Sequence, residues 1–173
     1  MRQDISLPKL TVHKNATVDF FYKTVYNKGM NMSRRKARIL VVEALFSWEV
    51  THQPLEELLQ FGWLDKTEAT SYRAEDFTFP RLLLSGVLEN IDAVDAKITE
   101  YLRGWEFDRI NQIDKAILRM SVYSLLFQKD IPTSVIIDEA VGIAHDYGDD
   151  YSYKFVNGVL DTIRKDEESQ NMQ

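Results

Sequence analysis

The sequence predicts an all-α fold of about seven helices, and three observations lead there. Apolar residues recur three and four apart through most of the chain, the stripe of an amphipathic helix. No stretch alternates strictly between apolar and polar residues, and no strand–helix–strand rhythm is present. The stretch Ile113–Phe127 is apolar on more than one face, as expected of a central helix surrounded by others.

The elements follow in order. Ser33 is suited to cap a helix whose stripe is Ala37, Leu40, Val41, Ala44, Leu45 and Trp48, and Pro54 marks the break after it. Pro54 suits the first position of a short helix carrying Leu55, Leu58 and Leu59. Residues 64–76 read as a polar loop with weak helix character. Phe79, Leu82, Leu83, Gly86 and Val87 form the next stripe. Ile91, Val94, Ile98, Tyr101 and Leu102 form another, stopped by Gly104. After the central helix, Pro132 opens a helix with Val135, Ile136, Ala140, Ile143 and Ala144 on its core face, and Gly148 closes it. Ser152 suits the cap of the last helix, whose core face is Phe155, Val156, Val159, Leu160 and Ile163. A glycine within that helix, at Asn157-Gly158, costs about 1 kcal/mol. It predicts close packing against a neighbour or a polar contact for Asn157.

A chain of 173 residues is long enough for one domain with a self-sufficient core. With no cysteine it has no disulfide, thiolate nucleophile or cysteine-bound metal, and a reducing, cytoplasmic compartment fits. No apolar run approaches the length of a membrane span, and the first 30 residues lack the apolar core of a secretory signal. The expected organisation is a basic N-terminal extension over 1–31, a helical domain over 32–168 and a frayed tail over 169–173. Met32 is a candidate true start, which would leave the extension outside the native protein.

The net charge of −6 conceals an asymmetry. Residues 1–40 carry nine Lys/Arg and two acids, whereas residues 41–173 carry twelve and 25. A basic front suits a polyanion and an acidic body suits a basic protein. Catalytic constellations are scarce. His13, His52 and His145 are scattered without metal-ligand spacing, and His145 falls in a last helical turn, where a cation suits the dipole. Glu56/Glu57, Asp149/Asp150 and Glu167/Glu168 are adjacent in sequence and read as solvated pairs. The chain reads as a binding protein that is not an enzyme and needs no cofactor or metal.

Three stretches carry that reading. SRRKAR places Arg34, Arg35, Lys36 and Arg38 at the start of the first helix, where the dipole disfavours cations. Helix stability does not explain them, whereas an anion held at that end does. In YGDDYSYKFVNGVLDTI, Lys154 again sits near a helix start, with Tyr151, Tyr153 and Phe155 beside it. A cation among aromatic rings suits single-stranded RNA, although a core Phe155 covered by tyrosines explains the same residues structurally. In EFDRINQIDKAILRMSVY, Asp108 and Asp114 complement the start of the central helix, or form an acidic docking surface for a basic protein.

The segments SRRKARILVVEALFSW, IDKAILRMSVYSLLF, DIPTSVIIDEAVGIAHDYG and SYKFVNGVLDTI together resemble the NusB family of transcription antitermination factors, from about Met32 to Arg164. The resemblance implies two small helical bundles sharing a core. It implies binding to the boxA element of ribosomal RNA leader transcripts together with NusE, a small-subunit ribosomal protein, in a complex on RNA polymerase. It assigns RNA contacts to Arg34, Arg35, Lys36 and Arg38 and to Ser152, Lys154 and Phe155, and NusE contacts to Asp108 and Asp114. Three departures stand out. Tyr151 replaces a usual acid before the serine, which either adds a stacking surface to the expected RNA site or alters its sequence preference, Phe46 replaces a frequent tyrosine, and the extension is additional. The alternatives are a self-associating homodimer, a detached module of a ribosomal RNA methyltransferase, and a helical interaction module without an RNA role.

Overall fold

The computed structural model describes residues 31–102 and 104–170. The extension expected over 1–31 lies outside the described residues save for Asn31, as do the last three residues of the expected tail.

The described residues form eight α-helices and two 3-10 turns and contain no strand. The first helix, α1, spans Arg34–Thr51. Ser33 caps it as expected, its hydroxyl accepting from the Lys36 N–H at 3.1 Å. The helix stops at Thr51, three residues before Pro54. His52 turns left-handed, with φ 54°, and returns its N–H to the Trp48 carbonyl. Pro54 is the extended residue before α2, Leu55–Leu58, rather than its first helical residue. The region expected to be a polar loop with weak helix character contains α3, Lys66–Ser71, and a 3-10 turn over Ala74–Phe77. Asp65 nucleates α3 by accepting from the Glu68 N–H at 2.9 Å.

Helices α4, Thr78–Glu89, and α5, Ile91–Glu100, follow. A 3-10 turn, Phe107–Arg109, then leads into α6, Gln112–Phe127. As its apolar faces predict, α6 is central and packs against α1, α4, α5, α7 (Thr133–Tyr147) and α8 (Ser152–Gln170). The core is one continuous cluster, with Leu40, Leu45, Leu84, Ile98, Ile117, Ile143 and Leu160 among its fully buried members. Burying each such side chain stabilises the fold by about 1.5–3 kcal/mol before entropy is counted. Leu82, expected on the core stripe of α4, faces outward instead and is 68% exposed.

Sequence periodicity does not show that α6 also buries charge. Arg119 grips both oxygens of Asp95 on α5 at 2.8 Å and Glu49 on α1 at 2.6 Å, and Lys115 holds the other Glu49 oxygen at 2.9 Å. Burial alone would raise Glu49, but hydrogen bonds from Arg119 and Lys115 outweigh it and hold the carboxyl below its ordinary range. The network joins α1, α5 and α6, and removing one member strands the others, at a cost of about 3–5 kcal/mol.

No helix among the described residues is long and apolar enough to cross a membrane.

Candidate nucleic-acid interface

The basic start of α1 is less free than its sequence suggests. Arg34 alone of the four cations there is exposed, and its guanidinium lies 4.1 Å from the centre of the Phe79 ring. Arg35 crosses to α7, where Nη2 meets Asp146 at 2.7 Å and Nη1 lies 3.7 Å from Glu139. Its side chain lies over Gly142, where a Cβ would crowd the guanidinium. Lys36 pairs with Glu68 of α3 at 2.6 Å. Burial works to lower Lys36, but the Glu68 hydrogen bond prevails and raises its pKa. Arg38 is buried, at 7% exposure, and burial lowers its pKa while Glu139 opposes. Its place near Phe79 and Glu139 makes it a supporting residue more than a surface contact.

The start of α8 is built by its preceding turn. Gly148 ends α7 with its N–H on the Ala144 carbonyl, and a Cβ there would collide with Ser152. Asp149 performs the capping expected of Ser152: its Oδ1 accepts the N–H groups of Tyr151 and Ser152 at 3.0 Å each. These hydrogen bonds, the one from Tyr151 first, lower the Asp149 pKa. Ser152 itself is buried, its hydroxyl accepting the Asp149 N–H. Tyr151 projects outward at 72% exposure, and Lys154 lies beside both Tyr151 and Tyr153. Phe155 is half-buried against the core, so the structural reading of its ring holds in part.

The two basic regions form one surface, joined by Asp146 and His145, which the sequence does not assign to RNA, and by Tyr153, which it places beside Lys154. From Arg35 the path runs to Asp146 at 2.7 Å, to the His145 ring at 3.3 Å, to Tyr153 with ring centres 5.9 Å apart, and to Lys154 at 5.6 Å from that ring. Arg35, and after it His145, hold the Asp146 carboxyl below its ordinary range. A strip of cations and aromatic rings suits the backbone and bases of a single strand.

The two expected partner-facing acids differ. Asp108 is exposed in its 3-10 turn. Asp114 is only 5% exposed, and its Oδ1 has no hydrogen-bond partner among the described residues. Burial pushes its carboxyl up, the Ser152 hydroxyl opposes, and Asp149 adds to the rise. Its charge faces the α8 turn rather than open solvent.

The family model for the NusB family matches residues 35–165. The transcription antitermination protein NusB of Treponema pallidum is 51% identical over 134 residues, covering 78% of this chain and 94% of that protein. The structure of T. maritima NusB superposes with a TM-score of 0.70 at 41% identity, covering 79% of this chain and 93% of that one. A solved complex of the antitermination factors NusB and NusE with double-stranded RNA matches in fold, with a TM-score of 0.64 at 23% identity over 76% of this chain and 96% of that chain.

Proposed function

Because the chain belongs to the NusB family, we propose that it is an RNA-binding transcription antitermination factor that binds boxA-type leader RNA together with NusE and acts within an RNA polymerase complex. The observation that carries this reading is the path of contacts from Arg35 through Asp146, His145 and Tyr153 to Lys154, with the exposed Arg34 next to its start in the chain. Phosphates meet the guanidinium and ammonium groups, and bases stack on the exposed rings. Arg34, Arg35, Lys154, Tyr151 and Phe155 make the contacts, while Lys36, Arg38 and Ser152 hold the helix starts in place. NusE, a basic protein, meets the acidic side at Asp108, with Asp114 shaping the turn behind it. This is a binding function without catalysis, carried out in the cytoplasm.

Fluorescence anisotropy tests it, with a boxA-like single strand and a scrambled control, with and without NusE, at two salt concentrations. Tighter binding to the boxA-like strand, strengthened by NusE, is expected. Equal binding to both strands in every condition removes the reading.

A second reading has its own observation. An apolar recess of about 200 Å³ opens between Val42, Phe46, Trp63, Ile113 and Tyr147, with Phe46 and Trp63 exposed at its rim. Such a face suits a homodimer. Light scattering over a concentration series tests it, and a constant monomer mass rejects it.

A further inference from the structure

Gly158 interrupts α8 with the residue least suited to a helix interior. Close packing is the usual reason, and it does not hold here. A Cβ built on Gly158 meets no atom of the described residues within 4 Å, and both Asn157 and Gly158 are exposed. Gly86 shows the contrast within the same protein, since a Cβ there would run into the Tyr123 ring. The Gly158 backbone instead floors an open recess of about 390 Å³. Tyr101 and Trp105 wall one side of it, and Lys154 and Phe155 stand on the α8 side.

The lining is unusual for this acidic chain. Among the described residues, no carboxylate lines the recess. Arg164 and Lys165 of α8 pair with Asp161 and Glu168, whereas Lys154 pairs with no carboxylate among the described residues. Trp105 is 60% exposed, with its ring centre 5.6 Å from that of Phe155. A large ring left in water beside an unpaired cation, above backbone with no side chain, is the chemistry that receives a base and its phosphate.

We propose that this recess is a nucleotide subsite: one unpaired base of a single-stranded RNA stacks on Trp105 and lies over the Gly158 backbone while Lys154 meets its phosphate. The inference rests on the RNA-binding reading above and extends the contact surface beyond the start of α8. Trp105 becomes a binding residue, and Gly158 supplies the room for the base.

The test opposes stability and binding. Gly158→Ala fits without a clash and improves helix propensity, so its thermal midpoint rises while affinity for the boxA-like strand falls severalfold. Gly158→Leu fills the recess, and Trp105→Ala removes the stacking ring. Each is expected to weaken RNA binding about tenfold, the loss of one stacked base. Folded Gly158→Leu and Trp105→Ala proteins with wild-type RNA affinity overturn the subsite and leave the antitermination reading standing. Variants that lose NusE binding while binding RNA alone normally also overturn it, because the recess would then receive protein. A wild-type protein that binds no RNA in any condition overturns both.

Discussion

Arg35 Nη2 lies 2.7 Å from Asp146 Oδ2, although 111 residues separate the two in the chain. On the proposed RNA-binding reading, the acid stands where a phosphate would meet Arg35. RNA that engages Arg35 must displace Asp146 or share the guanidinium with it. Asp146→Asn is therefore expected to raise RNA affinity about two- to fivefold at low salt and to steepen the salt dependence, because one more cation is free to replace counterions. Anisotropy titrations at several salt concentrations check this. An affinity that falls would mean that Asp146 orients Arg35 for RNA rather than competing with it.

The four cations of α1 divide by burial. Arg34→Ala, made alone or with Arg35→Ala, is expected to weaken RNA binding and flatten the salt slope by roughly one unit or less per contact, with the fold intact. Arg38→Ala is expected to lower stability by about 1–3 kcal/mol through lost packing of its buried stem. Urea melts beside the binding curves separate the two effects. Equal stability losses for Arg34→Ala and Arg38→Ala would contradict the burial difference.

Asp114 predicts a pH dependence. Its carboxyl is raised in the folded protein by burial, so the native state holds the proton more tightly than the unfolded chain. Stability from this group is greatest below the unfolded value, near pH 4, and is lost as pH rises through the raised folded value. Asp114→Asn removes that loss. The variant is expected to be more stable than wild type at pH 7 by about 1 kcal/mol, with the gain vanishing below about pH 4. Thermal melts across pH 3.5–8 check it, and a gain that persisted at pH 3.5 would assign the effect to packing instead.

Gly86 and Gly158 make opposite predictions for the same substitution. Gly86→Ala drives a methyl into Tyr123, where α4 crosses α6, and is expected to cost about 1–3 kcal/mol. Differential scanning calorimetry reads this as a lower midpoint. An unchanged midpoint would mean that the Tyr123 ring swings aside freely.

Much of the fold was legible because the apolar stripes of α1, α4, α5, α7 and α8 each have one buried face, and periodicity reports burial directly. The caps were legible only in part. Ser33 acts as expected, but the stop at His52 depends on a left-handed backbone with no glycine to signal it, and Asp149 caps where Ser152 was expected. Residues 66–71 are helical because Asp65 caps them and Glu68 meets Lys36, and the second of these is a tertiary contact. Leu82 fits a helical stripe yet faces water, since a stripe fixes a direction but not its width. The candidate site was legible as residue types near two helix starts. Its continuity was not, because Asp146 and His145 on α7 link Arg35 to Tyr153 only once the helices have packed. Charge sign alone also grouped Asp114 with Asp108, and burial separates them.

The Arg35–Asp146 and Lys36–Glu68 pairs also set an order in time. Synthesis delivers the cations of α1 well before α7. A nascent chain therefore shows them unpaired while it emerges beside the ribosome's own polyanionic surface. Glu68 arrives first and quiets Lys36, and Asp146 reaches Arg35 only when α7 is complete. Folding thus narrows the basic start of α1, in chain order, to the exposed Arg34.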